Sequence, residues 1–376
     1  MSLIQGGVQL SLYVGPVPVA APREMVEALV STRVECGSGD GPSGFELVFE
    51  LPARSPLRTL FLVTGGAAVP LIRVVLVVTI NGRAESIIDG LALSVDTQPG
   101  QGGVARLVVR GTDMSTLMDL IELPIPFPAM PPSARVLLCL AKYAALGVIP
   151  MVIPSILDIP PLPMQQIPQQ RGSDLSYVKR LAKEAGYVFY LEPGPEPGTS
   201  KAYWGPEIRV GDPQPALTMN MDAQSNVDDL SFTFDKDAKI TPLVFFQDSL
   251  SKAPIAIPIP DITPLNPPLG IVPPLPPKIE KLTNTAHLGA PQALMAGLAY
   301  ASQHGDSVFA KGTLDVAKYG RLLKSRRLVG VRGAGLPFDG LFYVKSVTHE
   351  IERGAYRQSF SLARNGLVST VPSVPA

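Results

Sequence analysis

The sequence predicts a mainly β protein of the α+β class, built from antiparallel strands. Three observations point there. Several segments alternate apolar and polar residues with period two. A β-hairpin is written near the C-terminal end. Helical patterns are few and short.

Phe45, Leu47, Phe49 and Leu51 share one face of a strand, and Glu46, Val48 and Glu50 share the other. Leu230, Phe232 and Phe234 alternate with Ser231 and Thr233. Tyr356, Gln358, Phe360 and Leu362 alternate with Arg357, Ser359, Ser361 and Ala363. Such alternation belongs to half-buried antiparallel strands. Leu341–Ile351 and Tyr356–Arg364 flank Glu352-Arg353-Gly354-Ala355, where Gly354 can take φ > 0, so the pair reads as a hairpin.

The clearest helix starts at Ser173-Asp174, a cap followed by a carboxylate at the positive helix end. Leu175, Val178, Ala182 and Ala185 form its apolar stripe, Gly186 ends it, and Tyr187–Leu191 reads as a strand. Further helices are expected at Pro291–Gln303, Ser115–Glu122 and Ala134–Leu146. Two proline-rich tracts, Pro124–Pro168 and Pro254–Pro277, interrupt the pattern. Proline cannot donate to a ladder, so neither is a central strand. Both are apolar, which favours an extended arm docked on a surface over a loose linker.

Length and charge bound the function. A chain of 376 residues suggests about two to three domains and can bury a core without metal or disulfide. Thirty-two basic residues equal thirty-two acidic ones, which removes the field that non-specific nucleic-acid or anionic-membrane binding needs. Only 17% of residues are charged against a usual share of about 25%, so other subunits are expected to cover part of the surface. The 40 prolines are about twice the usual share, yet proline plus glycine stays below the ~25–30% that marks disorder. Cys36 and Cys139 have no framework spacing and read as free thiols of a protein made in a reducing cytosol, with a disulfide as the alternative. The start has neither a basic region nor an apolar core before a cleavage site, so no signal peptide is expected. Leu60–Ile80 is apolar but contains Pro70, Arg73 and Gly65-Gly66. A charge inside a span costs about 2.5–3.5 kcal/mol, so the run reads as two strands, Leu60–Val63 and Leu71–Ile80, rather than a membrane span.

No catalytic, cofactor-binding or metal-binding constellation emerges. His287, His304 and His349 stand apart, and no H-E-x-x-H, C-x-x-C or G-x-S-x-G occurs. His349 alternates away from Glu350 and Glu352 and reads as an ordinary strand residue. Gly330–Gly335 lacks phosphate-loop spacing and reads as a turn between strands. Asp228-Asp229 and Asp235-Asp237 read as solvated strand ends rather than an acid–base pair. Arg321–Arg327 is a basic run without interleaved aromatics, hence a solvated or partner-facing patch, not a nucleic-acid site. Trp204, the only tryptophan, reads as a packing anchor before a sugar platform.

Four stretches together resemble a known family. They are Leu107–Asp119, Arg171–Ala182 continuing through Gly186–Tyr190, Asn226–Phe232, and Gly340–His349 with Gly354–Leu362. The second carries the pattern S-D-x-x-[FY]-[VL]-x-R-L-A from Ser173 to Ala182. Their order and spacing resemble the baseplate hub proteins of contractile injection machines: late-control D type phage proteins and the hub portion of VgrG spikes. Pro195–Pro206 and Gln214–Leu217 look most like hubs of extracellular contractile injection systems.

The resemblance implies two antiparallel tube-type β-barrels with an α/β insertion, in a trimeric pseudo-sixfold ring. It maps to a first barrel over 1–120, an inserted α/β domain over 121–215, and a second barrel over 216–376 interrupted by a proline-rich arm at 241–282. It implies a structural, non-enzymatic hub that adapts a hexameric inner tube above to a trimeric spike below, alongside baseplate wedge proteins. It implies synthesis in a bacterial cytoplasm and assembly into a virion-like or extracellular particle. The chain ends at Ala376 without a β-helix, so the spike is expected to be a separate protein. The alternatives are a baseplate-associated cell-wall hydrolase and a membrane-anchored assembly protein resting on Leu60–Ile80.

Overall fold

A computed structural model describes residues 7–37, 42–52, 55, 72–99, 104–155, 158–162, 164, 167–247, 254–260, 265–275, 277–283, 290–371 and 374. Antiparallel strands dominate, as the alternation requires. The N-terminal part supplies β1 (Val8–Gly15), β2 (Val19–Ala20), β3 (Leu29–Gly37), β4 (Gly44–Pro52), β5 (Ile72–Ile80), β6 (Arg83–Pro99) and β7 (Val104–Asp113). An insert follows with β8 (Val148–Val152), β9 (Val188–Pro193) and β10 (Ser200–Gly205). The remainder supplies β11 (Gln214–Thr218), β12 (Asp229–Phe234), β13 (Ile240–Gln247), β14 (Pro254–Pro258), β15 (Gly270–Val272), β16 (Lys278–Lys281), β17 (Val308–Asp315), β18 (Leu328–Arg332), β19 (Gly340–Glu352), β20 (Ala355–Arg364) and β21 (Leu367–Ser369).

The two halves do not form separate sheets. Thirteen strands join in one, ordered β12-β17-β20-β19-β3-β4-β7-β6-β5-β1-β2, with β18 pairing β19 and β11 pairing β18. The joint is β3 against β19, antiparallel from Ser346 opposite Gly37 to Glu352 opposite Ser31. One apolar core follows the sheet through the joint, with Leu47, Phe49, Val74 and Leu76 from one half and Val344, Val347, Phe360 and Leu362 from the other. Each such side chain contributes about 1.5–3 kcal/mol by leaving water. The alternation of β4 and β20 thus resolves as expected: Phe45, Leu47, Phe49, Leu51, Tyr356, Phe360 and Leu362 are buried. The hairpin β19–β20 turns at Gly354, whose φ is +86°.

The insert has its own core around Trp204, Tyr177, Val136 and Phe127. Its main helix, Asp174–Ala185, is built as the sequence predicts. The Ser173 hydroxyl accepts the Ser176 N–H, Asp174 lies in the first turn, and Gly186 closes the end in the left-handed region. Glycine is required at 186 for a second reason: a Cβ there would lie 2.6 Å from Cα of Ala299. The other insert helix spans Pro132–Ala141, followed by a 3-10 turn at Ala144–Leu146. The expected Ser115–Glu122 helix is a 3-10 helix at Met114–Asp119, capped by Asp113.

Three expectations are corrected. The tract Pro254–Pro277 is extended, but it is not a bare arm. Its first strand, β14, pairs β13, which also pairs β16, and helix Ala290–Gln303 covers this small sheet through Val244, Ile259, Ala293 and Ala301. Its second strand, β15, pairs β21. Pro254 and Pro258 sit in β14, an edge strand, where a missing N–H need cost no ladder bond, and β15 contains no proline. Gly330–Arg332 belong to β18, and the turn begins only at Gly333. Arg326, within the basic run, is buried. Of the apolar run Leu60–Ile80, Ile72–Ile80 is strand β5, and the expected strand Leu60–Val63 lies outside the described residues. No helix among the described residues is long and apolar enough to cross a membrane.

Arg73, which argued against a membrane span, fastens the insert. It pairs with Asp89 through two bonds of 2.6 Å and donates to the carbonyls of Leu146 and Gly198, while the Ser200 hydroxyl donates to Asp89. Removing one partner of a buried pair leaves the other charge stranded at a cost of about 3–5 kcal/mol. Arg73→Met should therefore lower the unfolding free energy measured by urea titration by that order, and Arg73→Met with Asp89→Leu should recover much of the loss. Equal stability of the single and double variants would disprove this account.

Candidate assembly surface

One face of the long sheet carries a ladder of charges. Residues directly opposite on neighbouring strands share a face and interact. Asp315 lies opposite Arg357, Arg357 opposite Glu350, Glu350 opposite Arg33, Arg33 opposite Glu46, and Glu46 opposite Arg110. Arg110 then pairs with Asp96. The sign alternates at every step across β17, β20, β19, β3, β4, β7 and β6. Arg33 reaches Glu350 at 3.2 Å, and Arg110 reaches Glu46 at 2.7 Å. The next row is also polar: Thr313, Ser359, Thr348 and Glu35. These side chains are exposed or half-buried. Exposed pairs contribute little stability each, about 0–1 kcal/mol. Their effect is on the surface: a hydrated wall with almost no net charge, running through the joint of the two halves.

The buried charges are fasteners. Arg209 sits between Asp306 and Glu207, with bonds of 2.5, 2.8, 2.7 and 3.1 Å, and Lys345 reaches Glu207 at 3.2 Å and Asp306 at 3.4 Å. Lys345 is placed by a bulge in β19 between Val344 and Ser346. Burial pushes both carboxyls up, but Arg209 and Lys345 outweigh it and hold Asp306 well below, and Glu207 below, the usual range. Among the described residues no group of three His, Cys, Asp or Glu could hold a metal ion.

The residues singled out in the sequence are not brought together. Trp204 is fully buried, its indole N–H donating to the Val178 carbonyl, so it is a packing anchor. Asp229 bonds Thr313, and Asp235 accepts the Asp237 N–H, both at strand ends. Lys324 pairs with Glu85 and Arg327 approaches Glu192, so this part of the basic run faces its own chain. Both cysteines are free. His304 lies at the end of helix Ala290–Gln303, its Nδ1 on the Tyr300 carbonyl, and His287 lies outside the described residues.

The opposite kind of surface is on the insert. More than half of the large apolar side chains exposed among the described residues lie between Leu120 and Ile167. Leu137 and Leu138 stand on helix Pro132–Ala141, and Ile149 and Met151 on the edge strand β8. A groove of about 1140 Å³, lined by Ile159, Leu162, Met295 and Tyr300 among others, separates helices Asp174–Ala185 and Ala290–Gln303. The proline tract adds Ile255, Ile271, Val272 and Leu275, which remain exposed, whereas Ile259 and Leu269 are buried and Ile262 lies outside the described residues.

No family model and no curated protein matches the chain. Solved structures do. A tail protein from Neisseria meningitidis is similar with a TM-score of 0.61 at 14% identity, over 96% of this chain and 98% of that one. A 43 kDa prophage tail protein from Shewanella oneidensis gives 0.61 at 12% identity, over 95% and 98%. An Escherichia coli component of the type VI secretion system, itself described as similar to bacteriophage tail proteins, gives 0.54 at 12% identity, over 93% and 76%.

The chain has the tail-protein fold. At these identities the fold is what is shared. The alignments cover nearly the whole chain, so they span the insert as well as the long sheet.

One titratable group of this fold gives a pH test. His349, in β19 beside the ladder but facing the core, contacts the Tyr356 hydroxyl at 2.7 Å through Nδ1, and burial pushes its pKa down to about 4. The unfolded chain binds this proton near pH 6.5 and the native chain only near 4, so stability falls as pH drops through that window. The loss should be roughly 3 kcal/mol by pH 4 in denaturant titrations. His349→Gln should remove that part of the slope; an unchanged slope would refute it.

Proposed function

We propose that this chain is a structural subunit of the baseplate of a contractile injection machine: a hub that joins the inner tube to a separate spike. The observation that carries the reading is the tail-protein fold over nearly the whole chain, in two tail proteins of about the same length. The order of the four sequence stretches supports the hub assignment within that fold. The reading places the protein outside catalysis. The buried charges around Arg73 and Arg209 are paired within the chain and hold elements together, and the alternating ladder offers no converging acid and base.

The two surfaces fit this role. In a ring of three copies, each with two related sheet halves, a polar, nearly neutral wall suits the face that borders a passage, because it stays hydrated and offers passing protein neither an apolar patch nor a strong field. The uncharged, apolar face of the insert suits the side on which baseplate neighbours pack. The proposed domain division is tube-type units over 1–120 and 216–376, the insert over 121–215, and the proline-rich segment 241–282 as an interruption of the second unit that adds exposed apolar side chains. The proposed setting is a bacterial particle, with the tube, spike and wedge proteins as partners.

Native mass measurement of the chain with its tube and spike partners should give three copies of this protein; monomer alone, with both partners present, would overturn the hub reading. Leu137→Asp and Met151→Asp should deplete the protein from assembled particles while changing monomer stability by no more than about 0.5 kcal/mol, since both side chains are already exposed. Normal incorporation of both variants would remove the insert face from the assembly.

A further inference from the structure

The insert and the second half of the sheet meet at a cavity of about 120 Å³ walled by tyrosines and arginine. Tyr190 and Tyr203 come from β9 and β10 and stack at 5.1 Å. Tyr343 comes from β19, and Arg326 from the turn before β18. The connecting segment Pro206–Asp212 closes another side.

Arg326 is the unusual member. Its backbone is left-handed, with φ +62°, a conformation that non-glycine residues hold only when the surroundings impose it. The imposing contacts are its N–H on the Val344 carbonyl and its side chain on the Gly37 carbonyl. The side chain is 8% exposed, and the guanidinium lies 4.0 Å from the centre of the Tyr190 ring. Of its five N–H groups only the bond to Gly37 is made among the described residues, and Nε is buried without an acceptor. A guanidinium this enclosed normally finds an anion. The hydroxyls of Tyr190 and Tyr343 likewise have no hydrogen-bond partner among the described residues, whereas Tyr203 donates to the Pro206 carbonyl.

The charge balance sets the ligand. Glu207 also lines the cavity, but Arg209 and Lys345 occupy it. Arg327 at the rim approaches Glu192 at 3.6 Å, and Asp212 stands exposed at the mouth. The buried Asp113 carboxylate accepts the N–H groups of Ser43 and Ser115. Among the described residues Arg326 has no carboxylate partner, so the cavity can take one negative charge. Two unpaired hydroxyls and the free side of a planar guanidinium match an acceptor with two oxygens. We propose that this cavity binds a single carboxylate group, held by Arg326 with Tyr190 and Tyr343, and so pins the insert to the second half of the sheet. The carboxylate is either a free small acid or a glutamate side chain of an adjoining protein. The inference rests on the cavity and not on the tail-protein reading.

Thermal melting of the full chain in acetate, against acetamide at equal concentration and equal ionic strength, tests it. Acetamide has the same shape without the charge. Acetate should raise the melting temperature by a few degrees and acetamide should not. Tyr343→Phe, which keeps the ring, should weaken the acetate response about tenfold in midpoint concentration. Arg326→Gln should abolish it, and if that variant does not fold, Tyr190→Phe serves with the same expected weakening. Equal responses to acetate and acetamide, or an acetate response unchanged in Tyr343→Phe and Tyr190→Phe, would overturn the proposal. A capped Ala-Glu-Ala peptide separates the sources: a response equal to that of acetate supports a side chain from an adjoining protein, and a response to acetate alone supports a free acid.

Discussion

The pairing of β3 with β19 is the constraint on which the molecule depends. It unites strands more than three hundred residues apart in sequence and turns two half-sheets into one. The core continues beneath it and the charge ladder above it, through Arg33 opposite Glu350. A slip of one residue would turn Val34 outward and Arg33 inward, so burial of one face fixes the register. Such a non-local contact forms only after a long loop has closed, which makes it a late and slow step of folding. The bulge at Lys345 marks where β19 exchanges β18 for β3 as neighbour, and the same bulge delivers Lys345 to Glu207 and Asp306. One irregular residue thus changes the strand's partner and completes a buried ion cluster.

The buried charges hold the parts of the molecule to one another. Arg73 with Asp89 holds the insert to the first half, and Arg209 with Asp306 and Glu207 holds the segment after the insert to the second. Arg364, fully buried, donates to the carbonyls of Pro337, Asp339 and Gly366 and fixes the chain after β20. The exposed alternating charges of the ladder stand on the polar sheet face. Between Leu120 and Ile167 the sequence has only Glu122, Arg135, Lys142 and Asp158, and Arg135 is buried while Lys142 pairs with Asp174. The apolar face of the insert is the consequence.

Local patterns were legible in the sequence; their assembly was not. β4, β20, the hairpin at Gly354 and the helix from Ser173 to Gly186 follow from periodicity, caps and turn residues, all set within a few residues of chain. The joint between the halves follows from none of these, because strand pairing at long range leaves no local mark. The ladder was written in the sequence as Arg33, Glu46, Arg110, Glu350 and Arg357, but only the register makes it a row. The proline tract misled for a physical reason: proline lacks an N–H for the ladder but still permits an edge strand, so β14 formed where an arm was expected, and β15 formed on the proline-free Gly270–Val272. Arg326 was misplaced because a basic run reads as solvated, and its burial depends on Tyr190 and Gly37, far away in sequence.

The two contrasting surfaces bear on how such a chain can work in a ring. A sheet that must face water on one side needs polar alternation there, and alternating signs supply it without the self-repulsion of a single-sign wall. Exposed apolar side chains are concentrated on the insert, which is tied to the sheet by Arg73 and Asp89 at one end and meets it at the tyrosine–arginine cavity at the other. The polar face belongs to the sheet that the joint of β3 and β19 unites, and the apolar face to the insert. At 12–14% identity the fold is what this chain shares with the two tail proteins.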